Sequence, residues 1–262
     1  MFLPPANDYT TVTEIPGSEA TQEQLARLYH RYRTAKQYAT KKRVLEVACG
    51  AGLGLGYLMR TASSVIGGDY TANVLSIAQA NYHGQIPLLR LDAHHLPFRD
   101  RSFDLVIVLE AIYYLNDVKL FVAEAHRVLD RDGILLIGTV NKDWGEFAPS
   151  PFSTGYFSVP DLGHLLEQNS FRNLEFYGAF STEVRSAKQR LVSLVRRLAI
   201  ALNLIPRTLK GRARFKRIFY GNLSPIPAQV TDSMADYHSL EKIPPDSSVQ
   251  GYKIIYCAAK RS

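Results

Sequence analysis

A strand that runs directly into a glycine-rich turn, and from there into a helix, constrains this chain more than any other feature. The apolar run 43–47 is followed by the turn 48–54, which has glycine at positions 50, 52 and 54. Glycines allow a sharp strand-to-helix turn and a close approach of the backbone to a ligand. Neither Gly50 nor Gly52 is followed by a glycine five positions later, so the turn does not match the dinucleotide-binding pattern G-x-G-x-x-G.

Strand-length apolar runs alternate with helical segments along the chain, which is typical of a parallel sheet with crossover helices. A capping box at Thr21 to Gln24 predicts the start of a helix that continues to Lys36, and the run 130–133 predicts a stop before the fifth strand. The fold class predicted is α/β, a doubly wound, Rossmann-like domain with a mainly parallel seven-stranded sheet. The predicted strands are 43–47, 64–67, 86–91, 103–109, 134–140, 171–180 and 252–259, and the further helices are 54–60, 72–82, 118–129 and 160–168.

About 70 residues separate the last two predicted strands, which is too many for a plain connection. We therefore predict three parts: an N-terminal helical cover (1–40), the sheet domain (41–180 and 249–262), and a basic helical insertion (181–248). Within the insertion, residues 187–204 and 207–219 are predicted to be helices.

The net charge of +7 is concentrated in this insertion, because residues 181–220 contain eleven lysines and arginines and one acidic residue. Three interpretations of the cations at 185–217 stay open: a cover over the cleft with a solvated basic face, a helix that docks on an anionic membrane surface, or attraction of an anionic acceptor. No recognisable RNA-binding module accompanies the charge, which argues against a nucleic-acid partner. The sequence does not predict an oligomeric state.

The remaining composition describes a globular protein, with 46% hydrophobic residues and no apolar run that approaches the roughly 20 residues of a membrane span. The N-terminus lacks the basic start and apolar stretch of a signal peptide, so we predict a cytoplasmic protein, with peripheral membrane contact left open. Only Cys49 and Cys257 are present, and neither has a His or Cys neighbour at metal-ligand spacing, so no metal site is predicted.

Further segments follow the strands in a fixed order. Glu46 lies two residues before the turn, Gly68-Asp69-Tyr70 ends the second strand, and Asp92-Ala93-His94-His95-Leu96-Pro97-Phe98 follows the third. The fourth strand opens with Ser102-Phe103-Asp104, and the run 127–133 precedes the fifth. Together these elements resemble class I S-adenosylmethionine-dependent methyltransferases, within the type 11 branch that includes the ubiquinone- and menaquinone-type enzymes. The resemblance covers about residues 42–141, with Ala48 in place of the usual first glycine.

The resemblance implies an enzyme that uses S-adenosylmethionine as its cofactor. In that family the acid before the turn orders the turn and orients the methionine end, the acid after the second strand accepts the ribose hydroxyls, and the Asp-Ala pair meets the adenine. The cofactor-binding residues implied here are Glu46, Ala48, Gly50, Gly52, Asp69, Tyr70, Asp92, Ala93, His94 and Leu109.

Ligands of open α/β sheets lie beyond the carboxyl ends of the strands, which places the acceptor near residues 109–114 and 141–144. Candidate catalytic residues are Glu110, Tyr113 and His94. A base is needed only if the acceptor is a hydroxyl or an acidic carbon. Glu110 is equally well explained as a ligand of the cofactor's amino group, and His94 as a residue that packs on adenine or caps its loop. The aromatic loop 144–157 is either a lid over the acceptor or part of the packing.

The predicted function is transfer of a methyl group to an O, N or C atom of a small lipophilic or aromatic acceptor. Two alternatives stay open: an RNA methyltransferase that uses the basic insertion, and a cofactor-binding scaffold without transfer activity. Leu109-Glu110-Ala111-Ile112 stands where an RNA or DNA enzyme of this kind carries Asn/Asp-Pro-Pro-Tyr/Phe, which argues against the first.

Overall fold

Alternating strands and helices build a mixed eight-stranded sheet with helices on both faces. The computed structural model describes residues 8–150, 152–182 and 223–262. The strands are β1 (Glu19–Ala20), β2 (Arg43–Val47), β3 (Ser64–Asp69), β4 (Leu88–Arg90), β5 (Phe103–Leu109), β6 (Leu129–Val140), β7 (Phe171–Ser181), β8 (Ser224–Pro225), β9 (Glu241–Ile243) and β10 (Tyr252–Arg261). The helices are α1 (Gln22–Ala39), α2 (Leu55–Met59), α3 (Ala72–Tyr82), α4 (Val118–Val128) and α5 (Val159–Gln168), with 3-10 turns at Tyr9–Thr11 and Ile112–Tyr114.

The strand order in the main sheet is β4-β3-β2-β5-β6-β10-β7-β9. The first five of these are mutually parallel, whereas β10 is antiparallel to both of its neighbours and β9 is antiparallel to β7. The predicted α/β class with a mainly parallel sheet is confirmed, and its C-terminal strands are antiparallel. The carboxyl ends of β2, β3 and β5 consequently meet at one edge of the sheet.

Two apolar cores cover the two faces of the sheet, as the near-continuous hydrophobic strands require. In β5, Leu105 and Ile107 point into the core beneath α1, α2 and α3, while Val106 and Val108 point into the core beneath α4 and α5. All four side chains are fully buried. The alternation fixes the register of β5, because a shift by one residue would exchange the two sets.

The N-terminal helix begins at the predicted capping box. Thr21 Oγ1 accepts a hydrogen bond from Gln24 N, and Gln24 Oε1 accepts one from Thr21 N. The helix continues three residues beyond the predicted end, to Ala39, because Ala35 and Ala39 are fully buried against the first core.

The structure differs from the prediction at the start of β6. The run 130–133, predicted as a stop, belongs to the strand, which begins at Leu129 directly after α4. Leu129 pairs with Phe103, and the register then shifts between Phe103 and Leu105. Arg43 ties this irregular segment to the sheet through Asp104 and Asp130, at 2.9 and 2.8 Å. A charged, glycine-containing run therefore continues the strand because its side chains are bound at the sheet margin.

The described part of the predicted insertion, residues 223–248, contains two short strands and no helix. β8 pairs with β1, and β9 adds an eighth strand at the edge of the main sheet, beyond the seven predicted. The predicted helices 187–204 and 207–219 and the basic segment 185–217 lie outside the described residues.

None of the helices within the described ranges is long and apolar enough to cross a bilayer. Both cysteines are buried free thiols. Among the described residues, no three His, Cys, Asp or Glu side chains are grouped as a metal would require.

Candidate functional site

A cleft of about 550 Å³ opens where β2, β3 and β5 end. Side chains from the glycine-rich turn, from the segments after β3, β4 and β5, from the N-terminal segment and α1, and from β10 line it. All but one of the predicted site residues lie on its wall: Glu46, Ala48, Gly50, Asp69, Tyr70, Asp92, Ala93, His94, Leu109, Glu110 and Tyr113. The exception is Gly52.

The acid at the end of β2 is buried, with 2% of its surface exposed. The Tyr32 hydroxyl donates to Glu46 Oε1 at 2.8 Å, whereas Glu46 Oε2 has no hydrogen-bond partner among the described residues. Burial raises the pKa of Glu46 to about 7, although the Tyr32 hydrogen bond and Arg31 act in the opposite direction. A buried carboxylate oxygen without a partner is costly, and such atoms mark places where a ligand supplies the missing donor.

The raised pKa of Glu46 predicts how stability depends on pH. An ordinary glutamate titrates near 4.5. The folded state therefore holds the proton more tightly than the unfolded chain, and this contribution to stability is lost as the pH rises through 7. Between pH 5 and pH 8, the free energy of unfolding of the wild type should fall by about 2 kcal/mol relative to that of Glu46→Gln. Urea unfolding of both proteins across this pH range measures the difference, and parallel curves would contradict the raised pKa.

The turn itself uses left-handed backbone at alternate positions. Ala48, Gly50 and Gly52 have φ of 58°, 56° and 72°. For Ala48, where the family carries glycine, this conformation costs about 1 kcal/mol. Asp69 at the end of β3 accepts hydrogen bonds from Gly50 N and Thr71 N, both at 2.8 Å, and so joins the turn to the start of α3. Burial raises the pKa of Asp69 despite these two bonds.

Gly52 is not among the residues that line the cleft, and a side chain at this position would point into the protein interior. A β-carbon at this position would lie 3.0 Å from Ala78 Cβ and 3.1 Å from the ring of Tyr82. The left-handed φ and this close approach account for the glycine without any contact to a ligand.

The segment after β4 is held in place by His94, whose two ring nitrogens both form hydrogen bonds. Asp92 Oδ1 accepts hydrogen bonds from His94 N and from His94 Nδ1, at 2.9 and 2.6 Å. Asp117 N donates to His94 Nε2 at 3.2 Å, so Nδ1 carries the proton. Burial raises the pKa of Asp92, but the hydrogen bonds from His94 outweigh this effect and the pKa lies below its ordinary value. His94 thus fastens this segment to the start of α4, with both ring nitrogens in hydrogen bonds.

Glu110, directly after β5, also has a left-handed backbone, with φ of 54°. Its Oε2 lies 3.4 Å from the Tyr113 hydroxyl, and its backbone N–H donates to Gly138 O at 2.7 Å. Burial raises the pKa of Glu110, against the effects of Arg31 and Arg27. A non-glycine residue in strained backbone, with a perturbed carboxylate in a cleft, is typical of a functional position.

The sequence reasoning missed the N-terminal part of the cleft wall. Arg27 and Arg31 lie one turn apart on α1 and line the cleft, where Arg31 forms an ion pair with Glu14. Tyr32 on the same helix also reaches the cleft, whereas Tyr29 packs against Tyr57 outside it. The i, i+4 spacing of the two arginines indicates that they share one face of the helix. The sequence does not show that this face is turned toward the cleft, because the orientation of α1 depends on its packing against the sheet.

The described residues of the aromatic loop 144–157 support the cleft from behind and do not line it. Tyr156 stacks on Tyr113 with ring centroids 4.5 Å apart, and Phe147 packs on Tyr156 edge to face. Trp144 is buried beneath Arg27 and Lys253. Of the two predictions for this loop, the described residues favour packing over a lid.

Comparisons with known proteins agree with this geometry. The profile of a family described as a methyltransferase domain matches residues 45–137. A protein of Mycolicibacterium smegmatis, described as a probable S-adenosylmethionine-dependent methyltransferase, is 31% identical over 187 residues, which cover 68% of this chain and 70% of that protein. A ubiquinone biosynthesis O-methyltransferase of Rhodopseudomonas palustris is 34% identical over 111 residues, which cover 40% of this chain and 43% of that enzyme.

Among solved structures, a methyltransferase of Thermotoga maritima described as a possible histamine N-methyltransferase superposes with a TM-score of 0.60. The match covers 91% of this chain and 90% of that one at 15% sequence identity. At this identity the likeness establishes the fold alone.

Proposed function

Because this chain belongs to the S-adenosylmethionine-dependent methyltransferase family, with S-adenosylmethionine as its methyl donor, we propose that it methylates an O, N or C atom of a small lipophilic or aromatic acceptor. One observation carries the proposal. Three carboxylates, from Glu46, Asp69 and Asp92, converge on a single cleft beside a turn of left-handed backbone.

The residues present fit the cofactor, and we assign their roles by position. Glu46 Oε2, buried and without a partner among the described residues, suits the ammonium group of the methionine end. Asp69, at the end of β3, is placed for the ribose hydroxyls, and Asp92 with Ala93 for the adenine. We propose that the backbone of Ala48 and Gly50 contacts the methionine end of the cofactor.

An aromatic wall supports the choice of acceptor class. Tyr9, Tyr113 and Tyr114 line the cleft beyond Glu110. Tyr114 contacts both Tyr113 and Tyr9, with ring centroids 4.6 and 5.3 Å apart. Such a surface binds flat or apolar groups. The R. palustris relative is named a ubiquinone biosynthesis O-methyltransferase, which supports a small-molecule acceptor for this chain.

Positioning supplies most of the rate enhancement, since the cofactor offers a methyl carbon already activated by its sulfonium. For a hydroxyl or acidic carbon acceptor, we assign Glu110 as the base. Its raised pKa and its position on the wall of the cleft support this assignment. We propose that His94 has a structural role, in which it holds the segment around Asp92 in place. We also propose that the protein is located in the cytoplasm.

The cofactor assignment predicts ligand selectivity. The purified protein should bind S-adenosylhomocysteine with a Kd on the order of micromolar and show no measurable binding of NAD, because its turn lacks the G-x-G-x-x-G pattern. Isothermal titration calorimetry with both ligands measures this. Binding of NAD without a response to S-adenosylhomocysteine would refute the proposed use of the cleft.

Methyl transfer itself is tested by incubating the protein with S-adenosylmethionine and a panel of phenolic, catecholic and alkylphenolic acceptors. Release of S-adenosylhomocysteine that depends on an acceptor identifies the class. Release with oligonucleotide RNA and with none of the small acceptors would favour the alternative of an RNA methyltransferase.

A further inference from the structure

One hydroxyl group holds both ends of the short segment that turns into α2. Tyr82, in the last turn of α3, donates from its hydroxyl to Gly52 O at 2.6 Å and accepts from Gly56 N at 2.9 Å. The side chain is 3% exposed, and it lies outside the residues that line the cleft. Burial raises the pKa of Tyr82 to about 12, so the hydroxyl keeps the proton that it donates near neutral pH.

Two glycines provide the space for this ring. A β-carbon on Gly52 would lie 3.1 Å from Tyr82 Cε2, and one on Gly56 would lie 3.1 Å from Tyr82 Cε1. Both distances are shorter than ordinary van der Waals contact. The absence of side chains at these positions therefore lets Tyr82 reach the backbone, which a ligand-centred interpretation of the glycines does not explain.

The carbonyl of Leu53, which lies between Gly52 and Gly56 in the chain, is bound by a distant residue. Val230 N donates to Leu53 O at 2.8 Å, and Val230 is 2% exposed. Tyr82 and Val230 together fix three backbone groups of the turn on its buried side, while Asp69 fixes Gly50 N on the cleft side. The backbone of the turn is therefore held by hydrogen bonds from three separate parts of the chain.

We infer that Tyr82 is a positioning residue for the methionine end of the cofactor, which it serves by setting the shape of the glycine-rich turn without touching the ligand. This inference rests on the proposed role of the turn. Loss of the hydroxyl would leave Gly56 N without this partner and Gly52 O with the bond from Leu55 N alone, and the turn would shift in response. A shift of the turn affects the methionine end of the ligand and leaves the nucleoside end, held by Asp69 and Asp92, largely in place.

The test compares two ligands on one conservative variant. In Tyr82→Phe, the Kd for S-adenosylhomocysteine should rise about tenfold, since small displacements of positioning groups have effects of at least this size. The Kd for adenosine, which lacks the methionine end, should change by less than about twofold. Calorimetry with both ligands gives the ratio, and adenosine binding shows at the same time that the variant is folded.

Tyr29→Phe is the matched control. Tyr29 is also a buried tyrosine, 5% exposed, and its hydroxyl accepts a hydrogen bond from Ser233 N at 3.3 Å, away from the turn. Its removal should lower the thermal unfolding temperature and leave both affinities at the wild-type values. Equal weakening of both ligands in Tyr82→Phe, or an unchanged Kd for S-adenosylhomocysteine, would overturn the inference. A wild-type protein that binds adenosine and S-adenosylhomocysteine equally tightly would overturn the role of the turn, and the inference with it.

Discussion

Replacing Glu110 by Gln is expected to lower kcat by about 10²- to 10³-fold on a hydroxyl acceptor, because a positioned base contributes rate enhancements of this order. Gln keeps the size of the side chain and its contact with the Tyr113 hydroxyl, but it cannot take a proton. The affinity for S-adenosylhomocysteine should stay within about twofold of the wild-type value. Single-turnover rates on the best acceptor of the panel and calorimetry on the same preparations separate the two effects.

The pH profile gives an independent readout of Glu110. Its pKa lies above the ordinary value because its carboxylate is buried, so wild-type kcat should fall as the pH drops through that raised pKa. The variant should lack this acidic limb. Glu14→Gln is the comparison: Glu14 also lines the cleft, pairs with Arg31 and raises the pKa of Glu110, so its loss should shift the acidic limb to lower pH without removing it. If Glu110→Gln weakens S-adenosylhomocysteine binding and leaves the pH profile intact, Glu110 binds the cofactor's amino group instead of acting as a base.

The parts of the fold that the sequence predicted best depend on local signals. The strands β2 and β5 and the helix α3 begin and end where the apolar runs and turn residues placed them. In β5, the five residues from Leu105 to Leu109 point alternately into the two cores and leave little freedom for another register. The glycine-rich turn was equally accessible at Gly50 and Gly52, whose residue type suits their left-handed backbone, whereas the left-handed backbone of Ala48 has no such signal.

Contacts between segments far apart in sequence were not accessible in the same way. Tyr82 meets Gly52 across thirty residues, and Val230 meets Leu53 from beyond the basic segment. β9 joins the sheet through three residues, too few for a periodic signal. His94 illustrates the same limit at a single side chain, since its residue type is compatible with a base and only its bonds to Asp92 and Asp117 N show both nitrogens engaged.

The same limit applies to the charges in the cleft. The sequence places Glu46, Asp69 and Asp92 after successive strands, and their convergence follows from the topology. The sequence does not show that Arg31 acts to lower the pKa of both Glu46 and Glu110, because α1 precedes the sheet and its orientation depends on packing.

Asp69→Ala is expected to weaken S-adenosylhomocysteine binding by about 3 kcal/mol, at the upper end for loss of a charged hydrogen-bonding group. Two effects combine in this variant. The ribose hydroxyls lose the acceptor that we assign to them, and Gly50 N and Thr71 N lose the carboxylate that joins the turn to α3. Calorimetry at several temperatures measures the affinity. Adenosine should also be weakened because the lost contact lies at the ribose, although by less than S-adenosylhomocysteine, whose methionine end also depends on the turn. This response differs from the one expected for Tyr82→Phe.

His126→Ala serves as the comparison for Asp69→Ala. His126 lies in the last turn of α4, packs edge to face on Phe171 and is outside the residues that line the cleft. Its loss should reduce stability and leave the Kd for S-adenosylhomocysteine within about twofold of the wild type. Equal effects of the two substitutions on affinity would mean that the end of β3 is not where the ribose binds. An affinity loss confined to Asp69→Ala, shared by adenosine, would place the ribose there and leave the turn, set by Tyr82, to the methionine end.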